Sequence, residues 1–102
     1  MTTTEFIALC ENTAIDQSQP ELKESSLLLA LWHDHRGHWD TAHTITQSVA
    51  GAAGSAVHAY LHRKEGDLSN AQYWYSRSGR TMPDGSLDAE WRDLAEEFCS
   101  NA

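Results

Sequence analysis

Apolar residues recur at spacings of three and four along almost the whole chain, and the strict alternation that marks a half-buried strand is absent. Phe6, Leu9, Cys10 and Thr13 share one face of a first predicted helix over about 3–14. "DQSQPEL" interrupts the pattern. Ser18 or Gln19 can cap a second helix there, with Pro20 in its first turn, where a missing N–H costs nothing. That helix is predicted over about 20–35, with Leu22, Ser25, Leu29, Trp32 and Arg36 along one side and Leu28, Leu31 and His35 on the next. Apolar residues cover so much of its girth that it is expected to be central. Gly37 ends it, because glycine accepts the left-handed backbone that a helix C-terminus often needs.

The same spacing predicts helices over about 39–49 (Ala42, Ile45, Thr46, Val49), 55–65 (Val57, Tyr60, Leu61, Lys64) and 68–79 (Ala71, Trp74, Tyr75, Ser78). Gly66 stops the 55–65 helix, and Asp67 or Ser69 can cap the next. "AGAAGS" at 50–55 reads as a short connection and "SGRTMPDGS" at 78–86 as a loop. A last helix over about 86–99 has the cleanest stripe: Leu87, Trp91, Leu94, Ala95 and Phe98, with the acids expected toward solvent. The expected fold class is all-α in a single domain over residues 1–102.

"HRGHWDTAH" at 35–43 and "RKEGDLSNA" at 63–71 are two copies of one pattern, 29 residues apart. In that register Ala30 meets Ala59, His33 meets His62, Gly37 meets Gly66 and Ala42 meets Ala71. Each copy reads as helix, glycine turn, helix, with a small residue one turn into the second helix that lets two antiparallel helices approach. Hairpins at a fixed period mark a helical solenoid.

These stretches resemble the inter-helix turn of tetratricopeptide repeats. On that resemblance Leu29 and Ala30 match the Leu-Gly pair of a first helix, and Ala71 with Tyr75 matches the Ala-x-x-x-aromatic signature. Pro83 stands at the repeat-closing proline, and Ala59 takes the small position of the second copy. His33 and His62 take the usual tyrosine place. Ser26, Thr46 and Gly54 depart from the pattern, and the spacing is shorter than the usual period of about 34. The resemblance covers roughly residues 23–83. It implies hairpins over about 20–49 and 55–80, closed by the first and last helices as caps, with Trp91 buried against the 68–79 helix or a second chain. It also implies a groove lined by Leu27, Leu31, Asp34 and His35 from one copy and Ala56, Tyr60, Arg63 and Lys64 from the other. Tyr60 looks exposed there, beside two cations.

Composition narrows the function. Four Trp, three Tyr and two Phe supply a core for 102 residues, so disorder is not expected. A net charge of −8 repels phosphate backbones, which argues against nucleic acid. No apolar run approaches a bilayer's thickness, and "MTTTEFIALCEN" lacks the basic leader of a secretory signal. No membrane role and a cytoplasmic location are therefore expected, with Cys10 and Cys99 as reduced thiols.

No enzyme signature is present. There is no GxSxG elbow or phosphate loop, and "HAYLH" lacks the glutamate of HExxH. The first expectation is a non-catalytic interaction module needing no cofactor. Leu31, Asp34, His35, Tyr60, Arg63 and Lys64 would bind a protein or peptide, with an acidic segment or C-terminal carboxylate suiting the cations. Six histidines support an alternative, a metal-binding or metal-sensing protein using His33, His58 and His62. A structural homodimer subunit is the third reading.

Overall fold

A computed structural model describes residues 2–12 and 25–100. Among them are six helices and no strand, so the chain is all-α. The helices are α1 (Thr3–Asn12), α2 (Ser26–His35), α3 (Trp39–Gln47), α4 (Ala52–Glu65), α5 (Leu68–Ser78) and α6 (Leu87–Ser100). The expected first turn of the second helix, with Ser18, Gln19 and Pro20, lies outside the described residues. Ser25 precedes α2 directly, its Oγ accepting from the backbone N–H groups of Leu27 and Leu28 at 3.2 Å. Two of the orphan donors of that helix are satisfied in this way.

The two glycine turns close their helices with the same pair of backbone hydrogen bonds, a helix stop that the end of α5 at Gly79 also uses. Gly37 N–H donates to Asp34 O at 3.0 Å and His38 N–H to His33 O at 2.9 Å. Twenty-nine residues later Gly66 N–H donates to Arg63 O at 3.1 Å and Asp67 N–H to His62 O at 3.0 Å. Gly37 and Gly66 have φ of 83° and 90°, a region where a side chain is strained. Ala30, Ala59, Ala42 and Ala71 are all fully buried, where the absence of bulk lets α2 lie on α3 and α4 on α5. Two helical hairpins follow, joined along a seam between α3 and α4.

One boundary differs from the sequence expectation. "AGAAGS" is mostly helix: Gly51 caps α4 at φ 101°, and α4 begins at Ala52. Gly54 is buried, and a Cβ there would collide with the carbonyl of Val49. Its lack of a side chain is what lets the connection fold back against its own helix.

The terminal helices also differ. Rather than covering opposite ends of the stack, α1 and α6 pack on each other, and α6 lies across α2 and α4. Trp91 is buried, but its ring stacks on Phe6 at 5.7 Å and 18°, and its indole N–H donates to Leu31 O at 3.1 Å. The Trp91 ring therefore closes on α1 and α2 rather than on α5. Phe6, Leu28, Leu31, Trp32, Val57, Leu61, Trp91, Leu94 and Phe98 belong to one continuous core. Cys10 and Cys99 are buried thiols in that core, and burial raises the Cys10 pKa to about 12. No helix among the described residues is long and apolar enough to cross a membrane.

Candidate functional site

Helix α4 carries chemistry on two faces, because residues three and four apart on a helix are neighbours. Tyr60, Arg63 and Lys64 face α2 and α6, whereas His58 and His62 face α3 and α5.

On the first face Asp34, Tyr60 and Lys64 are joined directly, whereas Leu31, His35 and Arg63 each contact α6. Asp34 is 2% exposed and accepts from the Tyr60 hydroxyl at 2.8 Å and from Lys64 Nζ at 2.9 Å. Tyr60 is itself 2% exposed, so the expectation of an exposed aromatic is corrected: its ring belongs to the core and only its hydroxyl is spent on a polar partner. Burial, and then the Asp34 carboxylate, push the Tyr60 hydroxyl's pKa well above its ordinary value, so it serves as a donor. Leu31 supplies the carbonyl that holds Trp91, and the His35 ring lies 5.0 Å from the Trp91 ring.

Arg63 reaches out of this group to α6. Its Nη1 donates to Glu90 Oε1 at 2.8 Å, its Nη2 donates to Gly85 O at 2.5 Å, and Tyr75 donates to Glu90 Oε2 at 2.6 Å. Glu90 is buried, contrary to the expectation that the acids of this helix face solvent. The hydrogen bond to Glu90 holds the Arg63 guanidinium more firmly in its charged form. Charge-assisted bonds of this kind are about twice as strong as neutral ones. Asp34, His35, Tyr60, Lys64, Leu87, Asp88 and Trp91 line a remaining cleft of about 190 Å³ beside the first turn of α6. The expected groove is thus occupied over much of its length by the chain's own acidic, tryptophan-bearing helix.

On the second face the histidines regroup. Ring nitrogens of His43, His58 and His62, one from each, lie within 4.8 Å of one another. His33 is not among them, which corrects the set His33, His58, His62. It sits at the end of α2 against Trp32 and His38, with ring centroids 4.9 and 5.8 Å away. The equivalence of His33 and His62 is one of repeat position, and equivalent positions in successive hairpins do not converge. His43 on α3 meets His58 across the seam, Nε2 to Nε2 at 3.0 Å.

Neighbours fix the cluster. Trp39 stacks on His43 at 4.8 Å and Trp74 on His58 at 3.9 Å, while the Trp39 indole donates to Leu61 O at 2.8 Å and locks α3 to α4. His62 Nδ1 is paired with Glu65 Oε2 at 2.6 Å. Burial chiefly, then the neighbouring imidazoles, lower the pKa of His58 to about 4. Burial and then His62 lower that of His43 as well.

Compared with known protein families, with curated proteins and with solved structures, the chain matches none.

Proposed function

We propose that this protein is a small interaction module of tetratricopeptide-like build that recognises an acidic amphipathic helix on the surface formed by α2 and α4. The observation that carries the reading is the seat of α6. The residues singled out as a partner surface all gather at this helix, and the helix offers the chemistry they suit. It brings a carboxylate for Arg63, a tryptophan for Leu31 and His35, and apolar residues for the core beneath. Helix-in-groove recognition works through such anchors at helical spacing. In this reading α6 is the resident ligand, and a partner helix with the same acid–tryptophan pair competes for its place. No step in this reading requires catalysis or a cofactor.

The test separates α6 from the chain without removing it. A protease site placed in the loop at 80–85 is cut, and the nicked protein is mixed with a fluorescent peptide of residues 86–100. Saturable binding by anisotropy is expected, with a Glu90→Lys peptide at least about tenfold weaker. That factor corresponds to losing one hydrogen bond to a charged group, worth about 1.5–3 kcal/mol. Absence of exchange at any peptide concentration, or equal binding of both peptides, would make α6 a plain core element.

A further inference from the structure

Three buried or half-buried imidazoles at a helix–helix seam are an expensive way to fill space. An apolar aromatic would pack there equally well, with no ring nitrogens to desolvate. These nitrogens instead face one another. His58 and His62 are one turn apart on α4, so their relative placement is fixed by the helix, and His43 is delivered by α3. We propose that His43, His58 and His62 form a binding site for a first-row divalent transition metal of the zinc, cobalt, nickel or copper class, with Glu65 as its positioning residue.

The geometry is close to what such an ion requires. Two nitrogens about 2.0–2.1 Å from one tetrahedral ion stand roughly 3.3 Å apart. His43 and His58 are already at 3.0 Å, and the whole set is within 4.8 Å. Binding an ion requires the rings to rotate against their tryptophan neighbours and draw the nitrogens closer. Imidazole donors suit zinc, copper and nickel rather than magnesium or calcium.

Behind the ligands, Glu65 Oε2 accepts from His62 Nδ1. A carboxylate holding one imidazole nitrogen directs the other at the metal and strengthens it as a donor. Asn70 Nδ2 now lies 3.4 Å from His62 Nε2 and would yield that place to the ion. His43 is only half-buried, and His58 borders a cavity of about 360 Å³ that also touches Thr46, Trp74 and Arg77. Because one ligand comes from the first hairpin and two from the second, the ion would staple the seam, a device that small domains use to supplement a modest core.

The experiment uses the full chain, freed of metal by chelation, and titrates zinc by calorimetry in a non-coordinating buffer. One ion per chain is expected, with a melting temperature that climbs with the logarithm of zinc concentration. Cobalt in the same site should give the intense visible absorption of a tetrahedral ion. His43→Ala should weaken zinc at least tenfold, His43→Cys should restore part of the affinity, and Glu65→Gln should weaken it about 10–100-fold. His33→Ala should change nothing. Should His58→Ala fail to fold, quenching of Trp39 and Trp74 emission by copper, compared in wild type and His43→Ala, separates the same outcomes. Absence of saturable binding would overturn the proposal, as would binding that survives His43→Ala or depends on His33.

Discussion

Replacing Trp91 with alanine removes the largest side chain by which α6 is attached. The ring is 3% exposed, lies on Phe6 of α1 and sends its one polar atom to Leu31 O of α2. Truncating a fully buried Trp costs about 3–5 kcal/mol, from lost transfer energy plus the cavity left behind. A domain of this size is stable by about 5–15 kcal/mol in all, so the change consumes a large share. Trp91→Phe divides the effect, because phenylalanine can retain the stacking on Phe6 but not the indole N–H. That variant should lose about 0.5–1.5 kcal/mol for the hydrogen bond, plus a smaller cavity term. Urea denaturation followed by circular dichroism measures both, with an unchanged m-value licensing the comparison. A loss below about 1 kcal/mol for Trp91→Ala would show that α6 does not sit where its contacts place it, and recognition in the groove would lose its basis.

Other outcomes follow from the same contacts. Glu90→Gln should cost about 2–4 kcal/mol, since it leaves the Arg63 guanidinium and the Tyr75 hydroxyl facing a neutral amide. A double-mutant cycle with Tyr75→Phe should give clear coupling, and additivity would deny the shared carboxylate. Gly54→Ala should cost about 1–3 kcal/mol because its methyl meets the Val49 carbonyl, and a neutral result in urea denaturation would refute that packing. The metal-free chain should lose stability as pH falls from about 6.5 toward 4. His58 has a folded pKa below its ordinary 6.5, so protonation favours the unfolded chain, and the contribution is complete only above 6.5. Denaturation across that range should show the loss reduced in His58→Phe; an unchanged acid limb would clear His58 of the effect.

Local features are legible in the sequence and long-range ones are not. Glycine turns at Gly37 and Gly66, the small residues at Ala42 and Ala71, and the stripe of α6 are encoded within a few residues. They locate the helices and the repeat. The arrival of α6 on α2 and α4 depends on how the chain returns after α5, which no local pattern specifies. Glu90 reads as solvent-facing by its charge, yet it stands three residues after Leu87 and four before Leu94, on the flank of the buried stripe. That spacing is the available signal. His43 escapes notice as a partner of His58 and His62 because repeat register points to His33. The usable clue is that His43 lies next to Ala42 and three residues before Thr46, both buried in α3.

The most direct test of groove recognition exchanges the charges of its central pair. Nicked protein is prepared with Arg63 and with Arg63→Glu, and each is offered labelled peptides of residues 86–100 carrying Glu90 or Glu90→Arg. The matched wild-type pair should bind, both like-charge combinations should be markedly weaker, and affinity should substantially recover when the two reversals meet. Binding that ignores the sign of either residue, or no binding in any combination, would contradict recognition of α6 through this pair.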